Sequence, residues 1–125
     1  MTHPEASTAV GTTILFENDR IRVWEMVLAA GESCPTHRHM NDHLLLYAEP
    51  ATIRAQVEGQ PVIQHVEDGL VSYRAVGTGG LPPHAITNVG DAPSRHFIME
   101  LLGPSTSDSP AAPEHNGRGR TELVR

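Results

Sequence analysis

An all-β sandwich or barrel is the fold class this sequence predicts, and three observations lead there. Short β-prone runs, several alternating apolar with polar, recur along the chain. Stretches of turn chemistry separate them. No convincing amphipathic stretch at helical spacing interrupts the series. The first run, "TTILFE" (12–17), is rich in β-branched residues and is closed by "END". "IRVWEMVL" (21–28) alternates and ends at "AAGES", and "HLLLYAE" (43–49) ends at "EPA". "TIRAQVE" (52–58) and "PVIQHVE" (61–67) meet at "EGQ". "LVSYRAV" (70–76) follows Asp68-Gly69, a dipeptide that signals a β-hairpin. "HAITNV" (84–89) follows the long turn "GTGGLPP", and "RHFIMELL" (95–102) follows "VGDAPS". Closing such a set of strands into a barrel or sandwich removes exposed sheet edges.

Composition narrows the possibilities. A chain of 125 residues, 38% hydrophobic and 19% charged, fits one globular domain with a core of its own. Its net charge of −6 argues against nucleic acid and anionic membrane surfaces as partners. No apolar run has the length needed to span a bilayer. "MTHPEASTAVGTT" lacks the basic and apolar regions of a signal peptide, so a cytoplasmic location is the default expectation. Cys34 is the sole cysteine, which excludes an internal disulfide and fits a reducing compartment. There is no lysine, which excludes Schiff-base chemistry on a lysine.

Three regions are expected: a flexible N-terminus over 1–11, a β-barrel over 12–102, and a Pro/Ser/Gly-rich tail over 103–125. The tail turns β-prone again at its end, where "GRTELVR" echoes "GTTILFE" at 11–17. The echo is short enough to be chance. It also marks a possible terminal strand.

The chemistry concentrates in "GESCPTHRHMNDH" (31–43), where three histidines are spaced His-x-His-x-x-x-His. In a strand, side chains two apart share a face, so His37, His39 and His43 have one parity. Imidazoles aimed inward from one rigid element would give a divalent transition metal most of its ligands. A further histidine, His84, opens a later strand after two stiffening prolines.

These residues resemble the two motifs of a small single-domain cupin. The first runs from Gly31 through five residues to His37 and His39; the second joins His84 to Asn88, with Gly69 and Gly77 in its glycine positions. The resemblance covers about 12–102. It implies an all-β, cupin-type jelly-roll β-barrel, often a homodimer, holding one divalent transition metal per chain (Fe, Zn, Ni, Cu or Mn) on three histidines and a glutamate.

Two departures stand out. The glutamate position holds His43, beside Asp42, and Ala75 replaces the second motif's proline. The expected metal set is therefore His37, His39, His43 and His84, with Asp42 as the competing fourth ligand. Four neutral imidazoles would leave the full metal charge in place and make a stronger Lewis acid.

The remaining residues carry less. Asn88 is expected to cap a turn or support His84, and Cys34 to be a small structural residue. His65 is expected to face solvent, and His96 to point outward or lie at an interface, with Phe97, Met99 and Leu101 on the opposite face. Trp24, Met26, Tyr47, Tyr73 and Met99 are core candidates. His3 and His115 fall in the tails. Arg54 and Arg74 lie within strands, and either, facing inward, would anchor a carboxylate.

The expected function is a metal-dependent cupin acting on a small organic molecule. Dioxygenase-type chemistry ranks first. A redox-neutral lyase, isomerase or cyclase comes next, and a non-catalytic small-molecule-binding cupin third. The expected assembly is a homodimer in which a terminal segment crosses to its partner and covers a sheet edge.

Overall fold

A computed structural model describes residues 7–57, 60–103, 115–116 and 119–123. The described residues contain strands and no helix. Ten strands occur: β1 (Thr13–Glu17), β2 (Ile21–Leu28), β3 (His43–Tyr47), β4 (Ala51–Val57), β5 (Gln60–Val66), β6 (Leu70–Arg74), β7 (His84–Asn88), β8 (Ser94–Leu101), β9 (His115–Asn116) and β10 (Gly119–Leu123). They form a six-stranded sheet, β1-β2-β8-β3-β6-β9, and a four-stranded sheet, β10-β5-β4-β7, with every pairing antiparallel. The all-β, jelly-roll architecture is the expected one, and the first eight strands match the expected runs closely.

The sheets face each other over two apolar clusters. One holds Val10, Trp24, Met26, Leu28, Cys34 and Ile98; the other holds Tyr47, Ile53, Val66 and Leu70. Leu45 and Ile86 pack against both and join them. Val10, within the N-terminus expected to be flexible, is 1% exposed, so residues 7–11 belong in part to the packed body. Residues 1–6 and most of the tail lie outside the described residues.

Three expectations about local structure change. Asp68-Gly69 does not close a hairpin: β5 and β6 lie in different sheets. The dipeptide turns a corner between them, Gly69 at φ 76° donating its N–H to the Tyr47 carbonyl. Next, β8 faces the other way from the alternation first assigned. Ser94, His96, Ile98 and Glu100 are buried, while Phe97, Met99 and Leu101 are only half-buried on the outer face. The outer surface of the larger sheet is itself apolar, exposing Phe16, Val27, Leu46 and Val71. Apolar residues there do not mark the inside. Finally, both terminal segments pair within the chain, β1 on β2 and β10 on β5.

Candidate metal centre

His37 and His39 do not sit on a strand, as the parity argument assumed. They lie in an extended segment braced by single backbone contacts. His37 and His84 exchange N–H···O=C bonds of 2.8 and 2.9 Å, Arg38 N–H donates to the Ser7 carbonyl, and Leu81 N–H donates to the His39 carbonyl. The Arg38 guanidinium donates to the carbonyls of Leu81 (2.9 Å) and Gly79 (2.6 Å), fastening the 77–83 turn against this segment. Gly80 is required there. Its φ is 81°, and a Cβ would come within 2.5 Å of Met40 Sδ and 2.9 Å of the His39 carbonyl. The long turn before His84 is thus held in place rather than loose.

The bracing gathers the imidazoles. Ligand-capable atoms of His37, His39 and His84 all lie within 4.8 Å of one another. Two nitrogens bound to one metal at about 2.1 Å are at most about 4.2 Å apart, so a small inward shift would bring this trio into coordination range. His37 Nε2 and His84 Nε2 are already 3.0 Å apart. His43, the first residue of β3, stacks its ring on His39 with centroids 4.1 Å apart. His37 Nδ1 contacts the Pro35 carbonyl at 3.1 Å and His43 Nδ1 the Asn41 carbonyl at 2.9 Å. Such contacts place the proton on Nδ1 and leave Nε2 as a lone-pair donor. His39 Nδ1 is buried with no hydrogen-bond partner. A buried polar atom left unpaired costs about 1–3 kcal/mol, a penalty a bound ion would offset.

Electrostatics agree. Burial, and then the neighbouring imidazoles, push the His39 pKa far down; burial and His37 lower His84 to about 4. Burial lowers His37 as well. All three are neutral at pH 7, the state a metal needs. An all-nitrogen donor set suits zinc, iron, nickel or copper, and not magnesium or calcium.

The competing ligand points elsewhere. Asp42 precedes the inward His43 and so faces the opposite way. Its Oδ1 accepts the Val76 N–H at 2.7 Å, and its Oδ2 lies 3.4 Å from the Tyr73 hydroxyl. Asn88 is remote from the cluster. It ties the following turn to β2, donating to the Leu28 and Ala92 carbonyls and accepting from Gly90 N–H. Cys34 is buried with its thiol pKa raised by burial, as a structural cysteine should be. His65 lies on the outer face of β5, between inward Gln64 and Val66.

Beside the cluster is a cavity of about 140 Å³. His37, His39, His43 and His84 form part of its wall, and apolar residues such as Leu45, Ile53 and Ile98 form much of the rest. Two of its groups escape a plain sequence reading. His96, expected outside, is 3% exposed, lines this cavity and stacks on Tyr47 at 4.5 Å. Burial lowers its pKa to about 3. Arg74 also lines the cavity, whereas Arg54 is exposed. The signal for His96 was its alternation with Ile98, which was assigned to the wrong face.

No protein-family profile and no curated protein matches the chain. Solved structures do. A cupin domain from Bordetella pertussis superposes with a TM-score of 0.65 at 17% identity, covering 81% of this chain and 100% of that one. A cupin superfamily protein from Desulfitobacterium hafniense gives 0.53 at 17%, covering 81% and 84%. A cupin 2 conserved barrel domain protein from Salinispora arenicola gives 0.50 at 17%, covering 72% and 70%. The chain has the cupin fold.

Proposed function

We propose that the chain is a metal-dependent enzyme acting on a small organic molecule, with one divalent transition metal per chain held by His37, His39, His43 and His84. The observation that carries this reading is the gathering of neutral imidazoles, one with an unpaired buried nitrogen, in the wall of a largely apolar cavity. Bound iron or copper would supply an open coordination position at which dioxygen and an oxidisable substrate meet. The chain's own groups do the rest. The backbone bonds around His37 and His84 hold the imidazoles in place, and the apolar wall keeps water from the substrate.

Dioxygenase-type chemistry is favoured over lyase, isomerase or cyclase chemistry by the bases on offer. Proton abstraction works best with a group whose pKa lies near the working pH. Among the described residues, no carboxylate lines the cavity, and the His96 pKa near 3 makes that imidazole a weak base.

Metal analysis of untagged protein tests both levels. One equivalent of iron or copper per chain, with oxygen uptake on turnover, is the expected result. Zinc alone would give the redox-neutral reading precedence, because zinc has no redox chemistry. His39→Ala and His84→Ala should each lower metal content at least tenfold, and full retention in either would overturn the site. His43→Ala should weaken metal binding while Asp42→Asn keeps it; the reverse pattern would make Asp42 the ligand.

We also propose that a second copy of the chain covers the outer face of the larger sheet. Phe16 pairs with Val23, and Val23 with Met99; Leu46 pairs with both Phe97 and Val71, so apolar rows cross the face. A two-fold axis through such a face sets like rows against each other. Light scattering should give a dimeric mass, and Val71→Asp should give a monomer. A monomeric wild type would refute the pairing.

A further inference from the structure

The geometry points to a ring-sized, largely apolar molecule carrying a neutral hydroxyl as the ligand of the cavity, with His96 as the residue that meets the hydroxyl and selects for it. This deepens the metal-dependent reading above, which concerns the other end of the same cavity, and its test separates the two.

Placement comes first. His43, Leu45 and Tyr47 alternate along β3 and all line the cavity. On β8, Ile98 lies opposite Leu45 and His96 opposite Tyr47, and directly opposed residues of an antiparallel pair share a face. Both β8 residues line the same cavity. Four residues of strand rise separate Tyr47 from His43, so the backbone of His96 lies about 13 Å along the sheet from that of His43. The wall therefore runs from the metal-binding imidazoles, past apolar Leu45 and Ile98, to a further imidazole on the far side. Ile53, from the facing sheet, adds to the apolar part.

The second argument is what the fold leaves undone at His96. The ring is 3% exposed, and its Nδ1 is buried without a hydrogen-bond partner. Stacking on Tyr47 at 4.5 Å sets the plane of the ring and satisfies neither nitrogen. Glu100, four residues on along the same strand, is treated otherwise: Trp24, Asn41 and Arg22 all donate to it. A polar ring that serves no structural bond and borders a cavity is explained by a ligand that completes it. Burial keeps this imidazole neutral at pH 7, so it offers one N–H and one lone pair. A hydroxyl both donates and accepts, and meets whichever of the two faces it. An ionised group would gain no opposite charge from a neutral ring to offset its desolvation.

Size supplies the rest. About 140 Å³ is close to the volume that accommodates a benzene ring in an apolar protein cavity. Leu45, Ile53 and Ile98 offer such a ring an apolar bed, and a hydroxyl on its edge reaches His96 while the rest of the molecule faces the imidazole cluster.

Isothermal titration with phenol and toluene, nearly equal in shape and both uncharged at pH 7, tests the inference on metal-free and on cobalt-loaded protein. The quantity read is the ratio of the two affinities, which a general loosening of the cavity would leave alone. His96→Leu should shift that ratio against phenol by about tenfold in both forms, because the hydroxyl then has no partner at this end. His96→Asn, which keeps a hydrogen-bonding group near the position of Nδ1, should hold the ratio within threefold of wild type. An unchanged ratio in a folded His96→Leu protein, an equal shift in His96→Asn, or no binding of either probe to wild type at millimolar concentration would overturn the inference. If wild type takes up no cobalt, the metal site fails instead, and the metal-free titration still decides the role of His96.

Discussion

Two buried polar assemblies lie near each other, and they are finished differently. Around Glu100 every acceptor is met: Trp24, Arg22 and Asn41 all donate to one carboxylate that is 2% exposed. Around the histidines, His39 Nδ1 and His96 Nδ1 are buried with nothing to bond. A closed network serves the fold, because each lost partner would leave a desolvated group behind. An open one costs the folded chain stability and makes sense where a ligand completes it. The contrast separates structural from functional burial of polar groups within one barrel.

The strongest way to break this comparison is Glu100→Ala. It leaves the Trp24 indole N–H and the Asn41 amide without their acceptor, and should cost about 3 kcal/mol of unfolding free energy. Metal content should not change. Urea denaturation with metal analysis checks both, and a loss under about 1 kcal/mol would place Glu100 outside the stabilising core.

Acid should act on the other assembly. The folded pKa values of His84 (about 4) and His96 (about 3) lie below the ordinary 6.5. The unfolded chain therefore takes up protons first as pH falls. Metal-free protein should keep its full stability above pH 6.5 and lose it progressively down to about pH 3. The slope is up to about 1.4 kcal/mol per pH unit for each histidine. A flat unfolding midpoint between pH 6.5 and 4.5 would contradict the burial assigned to both rings.

The smallest effect sharpens the distinction. His96→Leu removes a buried nitrogen that has no partner, so metal-free stability should rise by about 1 kcal/mol and the acid slope should lessen. Thermal unfolding in the absence of metal reads it. A destabilised His96→Leu protein would mean that the imidazole is satisfied in the folded state, contrary to the open-network view.

Local patterning settled much of this molecule in advance. Alternation and turn chemistry located β1 to β8 to within a residue or two, since period-two burial is written directly into a strand. The gathering of His37, His39 and His84 was legible from motif spacing, whereas the parity that joined His43 to them assumed a strand that His37 and His39 do not occupy. What spacing could not supply was direction and destination. Alternation states which residues of β8 share a face but not which face is inside. That depended on β8 lying between β2 and β3 in a sheet whose outer surface is also apolar. Asp68-Gly69 specifies a turn, yet whether the strands it joins pair or part is decided by sheets assembled from distant residues. Glu100 reads as one more surface carboxylate until Trp24, 76 residues away in sequence, donates to it. Arg54 and Arg74 were equivalent on paper; only the pairing of Arg74 with His43 put one of them in the cavity. Sequence determines near-neighbour geometry because backbone sterics are local, whereas sidedness and charge balance depend on long-range pairing, which exists only once the barrel has closed.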